Sequence, residues 1–284
     1  MLSILIPTYN YNVVPLVLEL QKQCLECDIN FEILVFDDNS KLCLDENEKI
    51  NSFENCRFEV LEKNIGRSAI RNLLAKKAKF ESLLFLDADT IPIQNHFIKN
   101  YISQVNADEK IIYGGIEYQK EKPKKNQVLR WKYGNSREAL PVKKRQENPY
   151  LSFLTLNFLI HKNIFSTVSF NETIPNLRHE DTLFSYNLKQ KKIKITHIEN
   201  PVYHLGLDDF EDAIKKENES ILGLKYLIDH ELLPTDYVRL SKIASKIEKL
   251  NLNFAFAFFY RITQSIFLKN IASNNPSLLI FDLY

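Results

Sequence analysis

The chain has 284 residues, 45% of them hydrophobic, which is enough for a folded core. Lysine plus arginine number 37 and aspartate plus glutamate 36, so a formal charge of +1 gives no indication of a nucleic acid partner. The first apolar run begins at Leu2 and no apolar run reaches transmembrane length, so we expect a cytoplasmic protein.

Short apolar runs alternate with helical patterns over the first third of the chain. The predicted strands are 2–6, 31–36, 58–61 and 83–86, and the predicted helices are 13–25 and 66–78. Such alternation is typical of a mostly parallel sheet with helices on both faces. We therefore predict an α/β fold whose strands share one carboxyl edge, where ligands bind.

The strand at 83–86 ends in Asp87-Ala88-Asp89, two carboxylates one residue apart. This placement indicates a cation that carries phosphates, since Mg²⁺ in proteins often uses one or two carboxylates together with substrate phosphates. The alternative is that these acids only cap a helix near Asn95. A lone Asp-x-Asp pair is common by chance and does not decide between the two roles.

The other three strand ends also carry polar clusters. These are Pro7-Thr8-Tyr9-Asn10, Asp37-Asp38-Asn39-Ser40 and the segment from Asn64 to Ser68. The helix that begins at Gly66 adds backbone N–H groups that favour an anion. Together they predict a site for a nucleotide diphosphate and a metal ion. In this site Asp38 accepts from the base, Tyr9 contacts its ring, Asp87 binds ribose hydroxyls, Asp89 binds the cation and Arg71 offsets the phosphate charge.

The middle of the chain is less regular. Strands are predicted near 111–118 and 151–160, and a long loop between them is rich in lysine and arginine from Lys120 to Arg145. This basic tract is either a solvated surface or a mobile lid whose cations attract a diphosphate or an acidic acceptor.

Acidic and histidine residues follow the basic tract. Glu180 and Asp181 open a predicted helix, where acids complement the helix dipole and so have a plain structural explanation. A strand at 193–198 leads to His204. A lone histidine is more often a packed or surface residue than a metal ligand, so its role is open at this point.

The last part of the chain, 207–284, is predicted to be helical. Two apolar stripes recur at helical spacing: Leu240, Ile243, Ala244, Ile247 and Leu250, then Phe254, Phe258, Ile262 and Ile266. Packing against the sheet domain is the default expectation. A membrane surface or a homodimer interface is the alternative for the aromatic second stripe.

The strand-end motifs and the His179-Glu180-Asp181 segment, in this order, resemble the family 2 glycosyltransferases of GT-A fold. The resemblance covers 1–206, with a nucleotide-binding half at about 1–110 and an acceptor-binding half at about 111–206. Residues 207–284 lie outside it as a C-terminal helical appendage. On this resemblance the fold is a Rossmann-like, mostly parallel sheet flanked by helices.

The resemblance implies inverting, single transfer of a sugar from a nucleotide-sugar, usually a UDP-sugar, to a glycan or lipid-linked acceptor with Mn²⁺ or Mg²⁺. It implies these roles: Pro7, Thr8, Tyr9 and Asp38 hold the uracil, Asn64 and Arg71 lie near the nucleotide, Asp87 binds ribose, Asp89 and His204 bind metal, and Asp181 is the base beside Glu180. The Gln-x-x-Arg-Trp pattern of processive synthases does not follow Asp181.

Two rival functions follow from the same residues. A sugar nucleotidyltransferase requires a glycine-rich basic loop after the first strand, and Pro7-Thr8-Tyr9-Asn10 supplies none. The other rival is a catalytically silent, nucleotide-sugar-binding subunit of a glycan-synthesis complex. The complete set of expected acids disfavours it.

Overall fold

The computed structural model describes residues 1–105 and 110–284, and residues 106–109, at the predicted boundary between the two halves, lie outside the description. The chain divides into two compact units. The first unit comprises Met1–Glu117, Ala139–Asn176 and Glu180–Gly206, and the second comprises Tyr118–Glu138, Leu177–His179 and Leu207–Tyr284. The division of the chain into domains at residue 206 stays a prediction.

All strands of the described residues belong to the first unit. They are β1 (Leu2–Thr8), β2 (Phe31–Asp37), β3 (Cys56–Val60), β4 (Ser82–Leu86), β5 (Thr90–Pro92), β6 (Lys110–Tyr113), β7 (Ile116–Glu117), β8 (Asn157–His161), β9 (Lys194–His197) and β10 (Val202–His204). Its helices are α1 (Val14–Glu26), α2 (Leu44–Glu48), α3 (Arg67–Lys77), α4 (Phe97–Ile102), α6 (Val142–Glu147), α7 (Lys162–Val168) and α8 (Glu180–Gln190). The second unit contains α5 (Val128–Tyr133), α9 (Phe210–Asp229), α10 (Arg239–Lys249), α11 (Asn253–Ile271) and α12 (Leu278–Leu283).

The main sheet of the described residues has seven strands in the order β3-β2-β1-β4-β8-β6-β9. Strands β3, β2, β1 and β4 are parallel, whereas β8 runs antiparallel to both β4 and β6. Every residue of β4 is buried, as expected for a strand covered on both faces. The predicted α/β, mostly parallel fold is confirmed, and the carboxyl ends of β1, β2 and β4 lie at one edge.

A second, three-stranded sheet brings β5, β10 and β7 together. Strand β10 pairs antiparallel with β5 in a register that sets His204 opposite Thr90. Because Thr90 directly follows Asp89, this register brings the chain after β4 beside the end of β10.

The core between β4, β8 and α8 is strongly aromatic. The rings of Phe85 and Phe158 stack at 4.9 Å, and Phe165 stacks on Phe85 at 5.2 Å. Phe184 of α8 stacks on Phe170 at 4.3 Å. Burial of a phenylalanine contributes about 1.5–3 kcal/mol, so these rings fix the start of α8 near the strand ends.

The predicted strands in the middle of the chain were too long. The first is interrupted between β6 and β7, where Gly115 has a φ of 92°. A side chain at that position would also meet the Arg145 guanidinium at 2.7 Å. The second predicted strand begins only at Asn157, because the residues before it form turns. Phe153 is buried in this segment.

The long basic loop predicted from Lys120 to Arg145 is wrong, because most of the tract is helical. A 3₁₀ turn at Lys125–Gln127 leads into α5, a π-helical turn follows at Gly134–Glu138, and α6 ends the tract. Val128 and Leu129 are buried and anchor α5. Two apolar side chains are too few to give a helical pattern in the sequence, but their burial is enough to order α5.

Three arginines of the tract have internal partners. Arg130 donates to Glu138 at 3.0 Å and lies over the Tyr118 ring, and Arg137 binds both carboxylate oxygens of Asp282 at 2.6 and 2.7 Å. Arg145 is buried and donates to backbone carbonyls, among them those of Leu140 and Ile198 at 2.9 and 3.0 Å. These cations stabilise the fold, which argues against a mobile lid.

The C-terminal segments are helical as predicted, but core packing is wrong for most of the two apolar stripes. Leu240, Ile243 and Leu250 of the first stripe are exposed, as are all four members of the second. Among the described residues, no helix has the length and hydropathy needed to cross a membrane.

His197 at the end of β9 provides a test of the core. Its ring lies edge-on to Tyr113 at 5.3 Å, and burial lowers the pKa of the imidazole to about 4 from an ordinary 6.5. The unfolded chain therefore takes up this proton first. The stability that depends on neutral His197 is complete above pH 6.5 and is lost as the pH falls toward 4.

We expect the His197→Gln variant to show a weaker pH dependence of unfolding free energy than the wild type between pH 6.5 and 5. The difference in slope is at most about 1.4 kcal/mol per pH unit. Urea unfolding at several pH values measures it. The exposed His96→Gln variant is the control, and equal slopes for wild type and His197→Gln would contradict the assignment.

Candidate active site

A cavity of about 300 Å³ opens at the carboxyl ends of β1, β2 and β4. Seven of the residues predicted to bind nucleotide or metal line it: Pro7, Thr8, Tyr9, Asp38, Arg71, Asp87 and Asp89. The other lining residues are Tyr11, Arg67, Ile70 and Ala88. Parallel strands thus bring together side chains that lie up to 82 residues apart, by the geometry that places ligands at sheet edges in open α/β folds.

Asp38 organises the entry to α3. Its carboxylate accepts the backbone N–H groups of Ile65 at 2.6 Å and Gly66 at 3.0 Å. A carboxylate offers about four lone-pair positions, so Asp38 retains acceptor capacity on the cavity side. Asn64 is exposed and outside the cavity lining, and its amide donates to the Asp38 carbonyl oxygen at 3.0 Å. The structure gives Asn64 a supporting contact to Asp38.

Arg71 joins two acids of the site. Its Nη2 lies 2.7 Å from Asp87 Oδ1 and its Nη1 lies 3.7 Å from Glu180 Oε1. The guanidinium is also 5.5 Å from the centre of the Phe170 ring. Burial on its own lowers the pKa of Arg71, but the two carboxylates outweigh it and the net shift is upward. Arg71 is a fixed cation that orients Asp87 and Glu180.

Glu180 and Asp181 open α8 in different environments. Burial raises the pKa of Glu180, neighbouring Asp181 raises it further, and Arg71 opposes both. Asp181 is half-buried, and its Oδ1 accepts the Thr182 N–H at 2.6 Å. Of this pair, Glu180 is the inward side chain held by Arg71.

Asp89 and His204 meet through the β5–β10 pairing. The Leu205 N–H donates to the Asp89 carbonyl at 2.8 Å, and His204 Nε2 lies 3.5 Å from Asp89 Oδ2. The chain passes so close that a Cβ on Gly206 would lie 2.1 Å from Asp89 Oδ2. Within the described residues, no group of three or more potential metal-ligating side chains is present.

Two cavity residues, Tyr11 and Arg67, were given no role by the sequence analysis. Tyr11 is near enough to Asp89 for the carboxylate to raise the pKa of the phenol, in addition to the larger effect of burial. Arg67 lies in the first turn of α3, where the sequence already predicted an anion. Tyr11 directly follows one recognised motif and Arg67 lies inside another, the segment from Asn64 to Ser68, and these positions were the available signal.

Comparison with known proteins finds a matching family model and a similar protein. The family model described as glycosyl transferase family 2 matches residues 3–171. The chondroitin synthase of Pasteurella multocida (strain Pm70) is 22% identical over 222 residues, which cover 76% of this chain and 23% of that protein. The chain therefore spans about a quarter of this relative's length.

Solved structures of S. aureus TarS share the fold. TarS 1-349 superposes with a TM-score of 0.56 at 16% identity, covering 99% of this chain and 88% of that one. Its complex with UDP gives a TM-score of 0.52 at 16% identity, with 99% and 88% covered. Its complex with UDP-GlcNAc gives 0.53 at 17% identity, with 99% and 89% covered.

The buried Arg71 cation makes a stability prediction. Replacing Arg71 with methionine leaves the Glu180 carboxylate buried without its cation, and we expect a loss of about 3 kcal/mol in unfolding free energy at pH 7. A carboxyl whose folded pKa is raised opposes folding increasingly as pH rises. The loss is therefore smaller at pH 5 than at pH 7, because proton uptake by Glu180 is more complete at the lower pH.

Urea unfolding at both pH values measures the effect. Arg67→Met is the matched control, since Arg67 is partly exposed and we expect a change below about 1 kcal/mol. Adding Glu180→Gln to Arg71→Met restores part of the loss at pH 7. Similar stabilities for the two arginine variants would show that Arg71 does not bear this structural role.

Proposed function

The chain belongs to glycosyltransferase family 2, and on that basis we propose that this glycosyltransferase transfers a sugar from a UDP-sugar to a hydroxyl group of a glycan or lipid-linked acceptor, with inversion. The observation that carries the proposal is the cavity at the strand ends. It collects Asp38, Asp87 and Asp89 beside Arg71, which links them to Glu180.

The cavity has the groups that a uridine diphosphate needs. Tyr9 is 54% exposed and offers a ring face to a base, and Asp38 offers an acceptor for a base N–H. The Arg67 guanidinium and the amino end of α3 favour the diphosphate. Support for UDP as the nucleotide comes from the shared fold with TarS, which has been solved with UDP and with UDP-GlcNAc.

Asp89 and His204 are proposed to hold Mn²⁺ or Mg²⁺. The 3.5 Å between Asp89 Oδ2 and His204 Nε2 would let both side chains contact one cation. Two protein ligands are enough when diphosphate oxygens complete the shell. When bound, the ion neutralises charge on the departing diphosphate.

Asp181 is proposed as the general base. The acceptor oxygen forms a bond to the anomeric carbon as the bond to the diphosphate oxygen breaks, and Asp181 takes the proton of the acceptor hydroxyl. Such a base contributes about 10²- to 10⁴-fold. Glu180, already held by Arg71, positions the first turn of α8 from which Asp181 projects.

A single addition is proposed because the Gln-x-x-Arg-Trp pattern is missing after Asp181. A cytoplasmic location likewise stays a prediction.

The Asp181→Asn variant tests the base. We expect the rate of sugar transfer to fall by at least about 10²-fold while the dissociation constant for UDP stays the same, because asparagine cannot take up the proton. Asp212→Asn is the matched control, an exposed acid in the first turn of α9. Transfer by Asp181→Asn at the wild-type rate would refute the assignment.

The metal site is tested by calorimetric titration of UDP with and without Mn²⁺. We expect Mn²⁺ to tighten UDP binding to the wild type, and Asp89→Asn and His204→Ala to abolish that gain. Gly206→Ala removes no ligand but displaces Asp89 Oδ2. We therefore expect it to reduce the Mn²⁺-dependent increase in UDP affinity about 10- to 100-fold.

Gly206 is not among the positive-φ glycines, so an alanine there carries no backbone strain and its main effect is the clash of its Cβ with Asp89 Oδ2. The exposed Asp45→Asn variant serves as the control. Equal UDP affinity of the wild type with and without Mn²⁺ would argue against the site.

A further inference from the structure

Helix α11 presents an apolar face to solvent. Phe254, Phe258, Ile262 and Ile266 follow one another at intervals of four residues and are 85%, 60%, 59% and 65% exposed. The opposite side of the helix is packed only in its C-terminal turns, where Phe267 and Ile271 are buried, and residues 253–262 are exposed on every side. The exposed stripe is therefore apolar surface that the packing of the C-terminal turns leaves uncovered.

Helix α10 is oriented in the same unusual way. Its buried residue is Ser241, while Leu240 and Ile243 are exposed, and Leu250 after its last turn is 67% exposed. The helix thus buries its serine side and leaves most of its apolar stripe exposed, with Ile247 of that stripe half-buried. We call these exposed side chains of α10 and α11 the apolar face.

Cations lie beside the apolar face. Lys242, Lys246 and Lys249 recur at helical spacing next to the apolar stripe of α10, and all three are exposed. Arg239, Arg261 and Lys269 add positive charge, while Glu248 is the acid in the sequence from 239 to 271. An apolar stripe bordered by lysine and arginine is the pattern of helices that lie in a bilayer interface.

The charge distribution distinguishes a bilayer from a second copy of the chain. A two-fold dimer brings the same patch of both copies together, so the lysines of α10 would face a surface of their own sign. Like charges across an interface oppose association, and Glu248 alone cannot offset them. An anionic bilayer complements both the cations and the apolar side chains.

We propose that the apolar face of α10 and α11 binds the surface of a bilayer that contains anionic lipid. The phenylalanines of α11 enter the boundary between headgroups and acyl chains, and the lysines of α10 contact lipid phosphates. This attachment rests on the helices alone and holds whether or not the proposed sugar transfer is correct.

Flotation of the full chain with vesicles tests the proposal. Vesicles of equal parts phosphatidylglycerol and phosphatidylcholine are compared with phosphatidylcholine alone. We expect the protein to float with the anionic vesicles, to bind the neutral ones much more weakly, and to bind less as salt is raised.

Two sets of variants separate the apolar and electrostatic contributions. Phe254→Ser with Phe258→Ser should lower partitioning at least about tenfold for each ring removed from the interface. Lys242→Gln with Lys246→Gln should lower it by about fivefold for each cation. Leu18→Ser with Leu25→Ser is the matched control, because these leucines are exposed on α1, and we expect it to bind as the wild type does.

Far-ultraviolet circular dichroism of each variant serves to check that it is folded. Three results would overturn the proposal: no binding to anionic vesicles, equal binding to both vesicle types, or binding unchanged by the phenylalanine substitutions. A dimer detected by light scattering that the phenylalanine substitutions dissociate, without vesicle binding, would assign the face to a second copy instead.

Discussion

The candidate site depends on one buried cation. Arg71 binds Asp87 at the end of β4 and Glu180 at the start of α8, so α3 connects the two sides of the site. A buried carboxylate is unfavourable unless it is paired, and the Arg71 guanidinium pairs with both acids. Because Arg71 also lies beside Phe170, which stacks on Phe184, the acids are fixed relative to the aromatic core. Catalytic side chains need such rigid support to hold reacting groups in position.

The second constraint is a strand register. The antiparallel pairing that sets His204 opposite Thr90 is what brings its imidazole to Asp89. A slip of one residue would turn His204 to the other face of the small sheet. Gly206 completes the arrangement, since any side chain there would occupy the position of the Asp89 carboxylate. The pair is thus determined by backbone geometry as much as by the two side chains.

Sequence patterns predicted the parts of the structure that follow from local periodicity and sheet topology. Asp38, Asp87 and Asp89 were placed together because each follows a buried strand, and parallel strands end at one edge. Contacts between distant segments were beyond reach: Arg71 with Glu180, and Arg145 with the Ile198 carbonyl, depend on how the chain returns. The basic tract was therefore misread, since a lysine- and arginine-rich segment looks solvated when its internal acceptors are unknown.

The C-terminal helices show a related limit. Helical spacing of Leu240, Ile243 and Leu250 correctly indicated that α10 has an apolar side, but periodicity does not say what covers that side. In most globular proteins the protein core covers it. Here the helix packs through Ser241, and its apolar side stays exposed beside lysines. A face that is apolar, cationic at its border and turned away from the core has the chemistry of a membrane interface, and this distinction required the orientation of the helix as well as its pattern.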